Sequence, residues 1–413
     1  MAVGDIKIDS FTIGGIDVSD PSKITLVGLN IYEDILDPYG PVAEARFTDF
    51  NDVLGSNKIN GKEDVTISFS TKDMGGNATY NFKLAENKNL NDQSQDGKGS
   101  MHSKQFDFRF VSPEVQASLG NFIPDNYEDL TGEIAKKILK DGFKTQCDIS
   151  IEPATKGKRR FDFKNKHPLK CLQILNMEHV SSKNKSSCYA VFKTREGSTQ
   201  KYKIAEYEEL FTIGPVVTLK QTTTLATGGS SETDKQNSIM WFNGADSFNS
   251  SVRAWSKPEA RGYDPTTGVA FQEKPKDPPK FITADGSTVY DSAPASVKAH
   301  PVYTHQDSAN DKTDPNVAEA RKNRIAFLAH LAQNAVEFEI AGNPQITLGC
   351  MVTLDIPNKS SGGNNEIGEL QLNGKALVVA IRHKVRPLGV SPRYTMLIRA
   401  VKASFKEGSG GNG

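Results

Sequence analysis

The sequence predicts a mainly β chain with a mixed α+β region in its middle. Three observations point to this. Phe106, Phe108 and Phe110 alternate with Asp107 and Arg109, the two-residue period of a half-buried strand. Similar strand-like runs, cut by turn residues, fill both ends of the chain, the spacing expected of barrels or sandwiches. Helix-period runs occur in the middle and once more after residue 314.

In order, the first region covers residues 1–113. Strands are expected in "KITLVGLNIYEDI", in "VAEARFTDF" after the turn "DPYGP", and in "EDVTISFS", "TYNFKLAENKNL" and "KQFDFRFVSP". The second region, residues 114–220, mixes the two classes. "NYEDLTGEIAKKILKDGF" sets Leu130, Ile134 and Ile138 at helical spacing, with Gly142 as the C-cap. "HPLKCLQILNMEHV" places Pro168 at a first helical position, with Leu169, Leu172 and Leu175 on one face. "RRFDFKN", "CYAVFKTREGS" and "QKYKIAEYEEL" read as strands.

Residues 221–314 are rich in turn formers, yet hold Trp241, Phe242, Trp255 and Phe281, so the expectation is a loop-rich extension of the fold rather than a disordered linker. Asp314-Pro315 opens a helix containing Ile325, Leu328 and Leu331. Strands return up to residue 406 in "EFEI", "QITLGCMVTLDI", "KALVVAIRHKV" and "YTMLIRAVKASF", and residues 407–413 read as a flexible tail. Both strand-rich ends carry a glycine followed shortly by Val-Thr and an aliphatic residue: Gly61 before Val65-Thr66-Ile67, and Gly349 before Val352-Thr353-Leu354. Either two strands are similar by chance, or one β-barrel module is used twice around the mixed middle.

Composition narrows the function classes. Fifty basic and fifty acidic side chains balance across 413 residues, so net charge singles out neither nucleic acid nor membrane as a partner. A pI near 7.1 leaves little charge to keep copies apart, which favours assembly. Cys147, Cys171, Cys188 and Cys350 form no C-x-x-C, and are expected as reduced, mostly buried thiols. "MAVGDIKIDSF" lacks the basic start and apolar core of a signal peptide, and no run approaches the roughly 20 apolar residues of a membrane span.

Chemistry-bearing patterns are sparse. His300 and His305 in "HPVYTH" have metal-like spacing, but only Asp307 and Asp311 follow them, so a solvated loop is the expectation. His330 reads as a packing or surface residue. His383, at the end of a strand, reads as a structurally satisfied histidine with the option of a polar contact at an interface. "KGKRR", from Lys156 to Arg160, is the densest basic cluster, and reads as a solvated loop or a contact for an acidic protein. "GGSS" and "SGGNN" do not join a strand to a helix as a phosphate cradle requires. The pair Glu208-Glu209 is ordinary for a charged surface. No nucleophile elbow, zinc-protease helix or P-loop pattern occurs, and no catalytic, cofactor-binding or metal-binding residue is expected.

The order of these segments resembles a family. Ile31, Asp34 and Ile35, then Asp49, Leu54, Ile59, Gly61, Glu63, Val65 and Ile67, are similar to the first barrel of the baseplate hub proteins of contractile phage tails. "FRFVSPE" resembles that barrel's exit, "IPDNYEDLTGEIAKKIL" its next helix, and "HPLKCLQILNMEHV" with "CYAVFKTREGSTQKYKI" its helix and hairpin. "IAGNPQITLGCMVTLDIP", "GKALVVAIRHKV" and "YTMLIRAV" resemble a second barrel, and only about residues 221–314 fall outside the likeness. The spike-base module of type VI secretion systems shares the arrangement.

The resemblance implies two similar β-barrel domains joined by a mixed α+β region, with the two Val-Thr segments as equivalent strands. It implies a homotrimer forming a pseudo-sixfold ring between a hexameric tail tube and a trimeric central spike on a separate chain. Baseplate wedge or tape-measure proteins would be further partners. It implies no cofactor, no direct nucleic-acid specificity, no membrane insertion, assembly in a host cytoplasm and a place in the virion's tail baseplate. A tailocin or type VI secretion component and a tail-associated peptidoglycan hydrolase are the alternatives.

Overall fold

The computed structural model describes residues 6–57, 59–71, 76–92, 104–183, 188–221, 238–244, 257–264, 269–273 and 299–305. It further describes residues 324, 328, 331, 335–356, 373–387 and 393–402. Chain-order labels start with β1 (Ile6–Ile13), β2 (Ile16–Asp17), β3 (Ile24–Asp34), β4 (Val42–Asp49), β5 (Asp64–Thr71), β6 (Asn77–Asp92) and β7 (Lys104–Val111). All seven belong to one curled antiparallel array, in the order β3-β4-β7-β6-β5-β1-β2. Its alternating residues deliver Phe11, Phe47, Phe69, Phe82 and Phe110 to the interior, all essentially inaccessible to solvent. Asp49 ends β4 and accepts hydrogen bonds from the amides of Val53 (3.0 Å) and Leu54 (2.7 Å), which fixes the turn that buries Leu54.

The middle holds α1 (Pro113–Leu119), β8 (Tyr127–Leu130), α2 (Thr131–Asp141), β9 (Asp148–Glu152), β10 (Lys158–Phe161) and α3 (Pro168–Glu178). It continues with β11 (Tyr189–Glu196), β12 (Thr199–Glu206) and α4 (Tyr207–Leu210). Strands β11, β12 and β9 form one small sheet, and β10 with β8 another. Helices α2 and α3 cover them through Ile134, Ile138, Leu172 and Leu175. Helix α2 starts one residue later than the apolar period suggests. Tyr127–Leu130 is strand instead, paired with β10. Gly142 does cap α2, with right-handed φ of −89°. Its small size is needed because a Cβ there would lie 2.6 Å from Pro168 at the start of α3. The strand reading of "QKYKIAEYEEL" holds to Glu206, after which the chain turns into α4.

The remaining strands are β13 (Pro215–Lys220), β14 (Ile239–Gly244), β15 (Lys257–Asp264), β16 (Val269–Glu273) and β17 (Ala299–His305). They end with β18 (Ala335–Ala341), β19 (Met351–Asp355), β20 (Gly374–Arg386) and β21 (Arg393–Val401). Five of these pair as β14-β18-β21-β20-β19, and β13 adds to β19 in parallel. A parallel bridge between Lys220 and Ser238 brings β13 back towards β14 and curls this array on itself. Between residues 221 and 314, β15 to β17 make a three-stranded sheet of their own. So the described part of that extension is strand, while Trp255 and Phe281 lie outside the described residues. Of the expected helix after Pro315, Arg324, Leu328 and Leu331 are helical and the rest lies outside the described residues.

The fold is therefore mainly β, with the α+β part in the middle, and one apolar core runs through both curled arrays. Phe69 of the first meets Tyr394 of the second edge-to-face at 5.3 Å. Gly342 follows β18, where a Cβ would sit 1.8 Å from Cδ1 of the buried Tyr394 ring. Gly342→Ala is expected to cost about 1–3 kcal/mol by overpacking, read as a lower thermal midpoint. An unchanged midpoint would show that the ring yields freely.

Candidate assembly site

The two curled arrays repeat one another strand by strand. In the first, the chain order β3, β4, β5, β6, β7 becomes the spatial order β3-β4-β7-β6-β5; in the second, β14, β18, β19, β20, β21 becomes β14-β18-β21-β20-β19. The registers agree in detail. Lys83 opens the β6–β7 ladder opposite Val111, and Leu377 opens the β20–β21 ladder opposite Val401. Each ladder then shifts register at the same step, between Leu84 and Glu86 and between Val378 and Ala380. Asp64 faces Lys83 and Met351 faces Leu377. Val65-Thr66-Ile67 and Val352-Thr353-Leu354 therefore occupy equivalent positions. Gly61 and Gly349 sit in matching loops, one residue out of step, with φ of 81° and 80° that suit glycine. The arrays differ at their ends: β1 joins β5 antiparallel, whereas β13 joins β19 in parallel.

Among the described residues, one strand pairing joins the arrays. Leu29 to Asp34 of β3 pair with Val385 to Ala380 of β20 over six consecutive residue pairs. Beneath this seam lies a buried polar cluster. His383 points inward from β20, between Ile381 and Val385, and is fully buried. Its Nε2 lies 3.1 Å from the Tyr80 hydroxyl, and its Nδ1 lies 2.7 Å from the Tyr394 hydroxyl. The Glu33 carboxylate sits 3.7 Å from His383 Nε2, and Arg195 Nε sits 3.8 Å from Glu33. The Arg195 guanidinium lies 4.8 Å from the centre of the Tyr80 ring, a cation–π contact.

Burial pushes the His383 pKa below the usual histidine value, more than the neighbouring Glu33 raises it, so the ring is neutral near pH 7. Burial would raise the Glu33 carboxyl, but His383 and Arg195 outweigh it and hold it below the usual carboxylate value. The cluster thus draws on both arrays and on β11 of the middle region. Three consecutive residues of β11 make separate ties. Lys193 bonds to the buried Glu114 at 2.9 Å, Thr194 donates to the Leu348 carbonyl at 2.8 Å, and Arg195 enters the cluster.

His383 is a satisfied histidine at an interface within the chain. His300 and His305 lie on β17 rather than in a loop, because "HPVYTH" pairs as a parallel strand with β15. Asp307, Asp311 and His330 lie outside the described residues. Within "KGKRR", Lys158 to Arg160 belong to β10, and Arg159 pairs with the buried Glu178, so this is not a solvated loop. Glu209 pairs with Lys183 at 2.6 Å. The cysteines are free, and burial pushes the Cys188 thiol up to about 12. No group of three or more metal-ligating side chains occurs among the described residues, and no described helix is long and apolar enough to cross a membrane.

By sequence, no protein-family model and no curated protein matches the chain. Solved structures are similar over nearly its whole length, tail proteins among them. The tail protein from Neisseria meningitidis MC58 aligns with a TM-score of 0.57 at 12% identity, covering 96% of this chain and 97% of that one. The chain shares the fold of that tail protein. The 43 kDa tail protein of prophage MuSo2 from Shewanella oneidensis gives a TM-score of 0.55 at 12% identity, covering 97% and 98%. The tail-protein fold agrees with the resemblance carried by Ile31, Asp34 and the Val-Thr segments. Sequence reading did not find Glu33, Tyr80, Arg195 and Tyr394 as a group. The signal present was a charged Glu33 in the inward phase of a strand, between Ile31 and Ile35.

Proposed function

We propose that the chain is a structural, non-catalytic hub of a contractile phage tail. It forms a homotrimeric ring of pseudo-sixfold symmetry between the hexameric tail tube and the trimeric central spike, in the baseplate of the virion. A separate spike chain, the tube protein, and wedge or tape-measure proteins are its proposed partners. A spike base in a tailocin or type VI secretion system would use the same ring.

One observation carries this reading. Within the chain, the first strand of one repeat, β3, adds to the long fourth strand of the other, β20. The equivalents of these two strands are β14 and β6. Pairing between β14 of one copy and the second half of β6 of the next would repeat the same joint. Three copies then supply six repeats and six alike joints, and no such edge is left open to stray pairing. A head-to-tail contact of this kind closes into a ring when its rotation permits.

Light scattering on a size-exclusion column tests the reading. The expected mass is three times the 45.1 kDa of one chain. A particle that stays monomeric or dimeric at every concentration and in the presence of spike and tube proteins would overturn it.

A further inference from the structure

The continuous sheet has a second side, turned away from the apolar core, and its charge is distributed unevenly. On the first array this side is balanced. Glu44, Arg46, Asp107, Arg109, Glu86 and Lys88 alternate in sign both along and across the strands. Arg46 pairs with both Asp107 oxygens at 2.7 and 2.9 Å, and Lys88 with Glu86 at 2.9 Å. These residues line a groove of about 550 Å3, together with Gly28 and Asn30.

Across the β3–β20 seam the balance is lost. Arg382, Lys384 and Arg386 stand at every second residue of β20, on the side opposite Ile381, His383 and Val385. On β21, Arg393 and Arg399 lie on that same side, six residues apart, with Thr395 and Leu397 between them. Three acids share this side: Glu337 of β18 opposite Arg399, Asp34 of β3 opposite Ala380, and Glu339, which is shared between Lys384 (3.4 Å) and the Thr395 hydroxyl (2.7 Å). Arg382 leans on Asn30 and the Tyr32 ring, which carry no charge at neutral pH. Arg386 and Arg393 are both exposed and directly opposite one another in the ladder. Like charges facing across a ladder are destabilising. The connecting residues 387–392 read "PLGVSP" and contain no acid to relieve them.

We infer that this outer face of the β20–β21 hairpin binds the phosphate backbone of double-stranded DNA, without reading its sequence. Cations spaced about 6.6 Å apart along one strand suit a polymer charged at every unit better than a single carboxylate. Guanidinium groups match phosphate oxygens in paired hydrogen bonds. The balanced groove beside the face neither attracts nor repels the strand beyond short range, so binding energy is concentrated at the hairpin. The inference goes beyond the hub reading and does not require the ring.

The test uses the full chain and a fluorescein-labelled duplex of mixed sequence, followed by anisotropy between about 50 and 200 mM salt. Wild type is expected to bind more weakly as salt rises. The double variant Arg386→Glu with Arg393→Glu is expected to lose at least about tenfold in affinity, with a log–log salt slope shallower by about two. Lys140→Glu with Lys170→Glu makes the same change in net charge on the middle region, and is expected to leave binding near wild type. Circular dichroism confirms that each variant is folded, and Arg386→Gln with Arg393→Gln replaces the first pair if it is not. No wild-type binding at the lowest salt, or an equal loss in both charge variants, overturns the inference. Binding of polyglutamate as tight as that of DNA also overturns it, and would indicate an acidic protein segment instead. These results are independent of the trimer mass.

Discussion

Replacing Glu33 with alanine is expected to lower the stability of the chain by about 3–5 kcal/mol, read as a fall in the urea midpoint. Glu33 and Arg195 are each about 95% shielded from solvent, with relative exposures of 5% and 4%. Truncating Glu33 leaves the guanidinium without its carboxylate, in a place water does not reach. The large effect belongs to that stranded charge rather than to the pair's own attraction. Removing both charges should therefore hurt less than removing one. Glu33→Ala combined with Arg195→Met is expected to recover most of the loss, a non-additivity that a double-mutant cycle measures. If the single variant stays within about 1 kcal/mol of wild type, the cluster does not hold the seam together.

Acid is expected to weaken the fold well before its carboxylates titrate, because two buried histidines resist protonation. Burial, reinforced by the nearby Arg324, pushes the His179 pKa down to about 3, and its Nδ1 lies 2.9 Å from the Thr131 hydroxyl. His383 is shifted in the same direction by burial. Above the unfolded value of about 6.5 the imidazole is neutral in both states and pH has no effect. Below it the unfolded chain takes up a proton that the folded chain refuses, so stability falls as pH drops, until the folded pKa is reached. For His179 alone this amounts to about 2 kcal/mol at pH 5. Glu33, held low in the folded state, adds loss of the same sign as pH falls through its folded value. The check is a pair of urea titrations at pH 7 and pH 5. His179→Gln should flatten the difference between them, and equal midpoints in wild type would refute the account.

Much of this fold was legible because most strands are half-buried and show it as a two-residue period. Phe106, Phe108 and Phe110 are inward-facing, as their alternation implies, and Pro168 does open α3. Strand β11 was legible as a strand, but not its role. Seven consecutive residues from Tyr189 to Arg195 are buried, so alternation carried no information about what Lys193 and Arg195 meet. The junction was hidden for a different reason. His383 and Tyr80 are 303 positions apart in the chain, and only the pairing of β3 with β20 brings them together. The repeat left a trace in Val-Thr and a glycine, too short to establish itself. Its proof lies in the ladder registers and the matched bulges, which are set by backbone geometry and leave almost no side-chain signature.

The seam between β3 and β20 also sets how the molecule would carry a mechanical load. Its six residue pairs run antiparallel, with hydrogen bonds lying across the strand direction. A pull directed along the strands strains all of those bonds together, whereas a pull at right angles would open them one after another, as in a zip. An axial thrust along the strands therefore meets the joint in its strong direction, and a sideways bend meets it in its weak one. Glu33 and His383 belong to two of the six pairs, and Arg195 meets Glu33 beneath them, so the buried cluster ties the joint from its inner side.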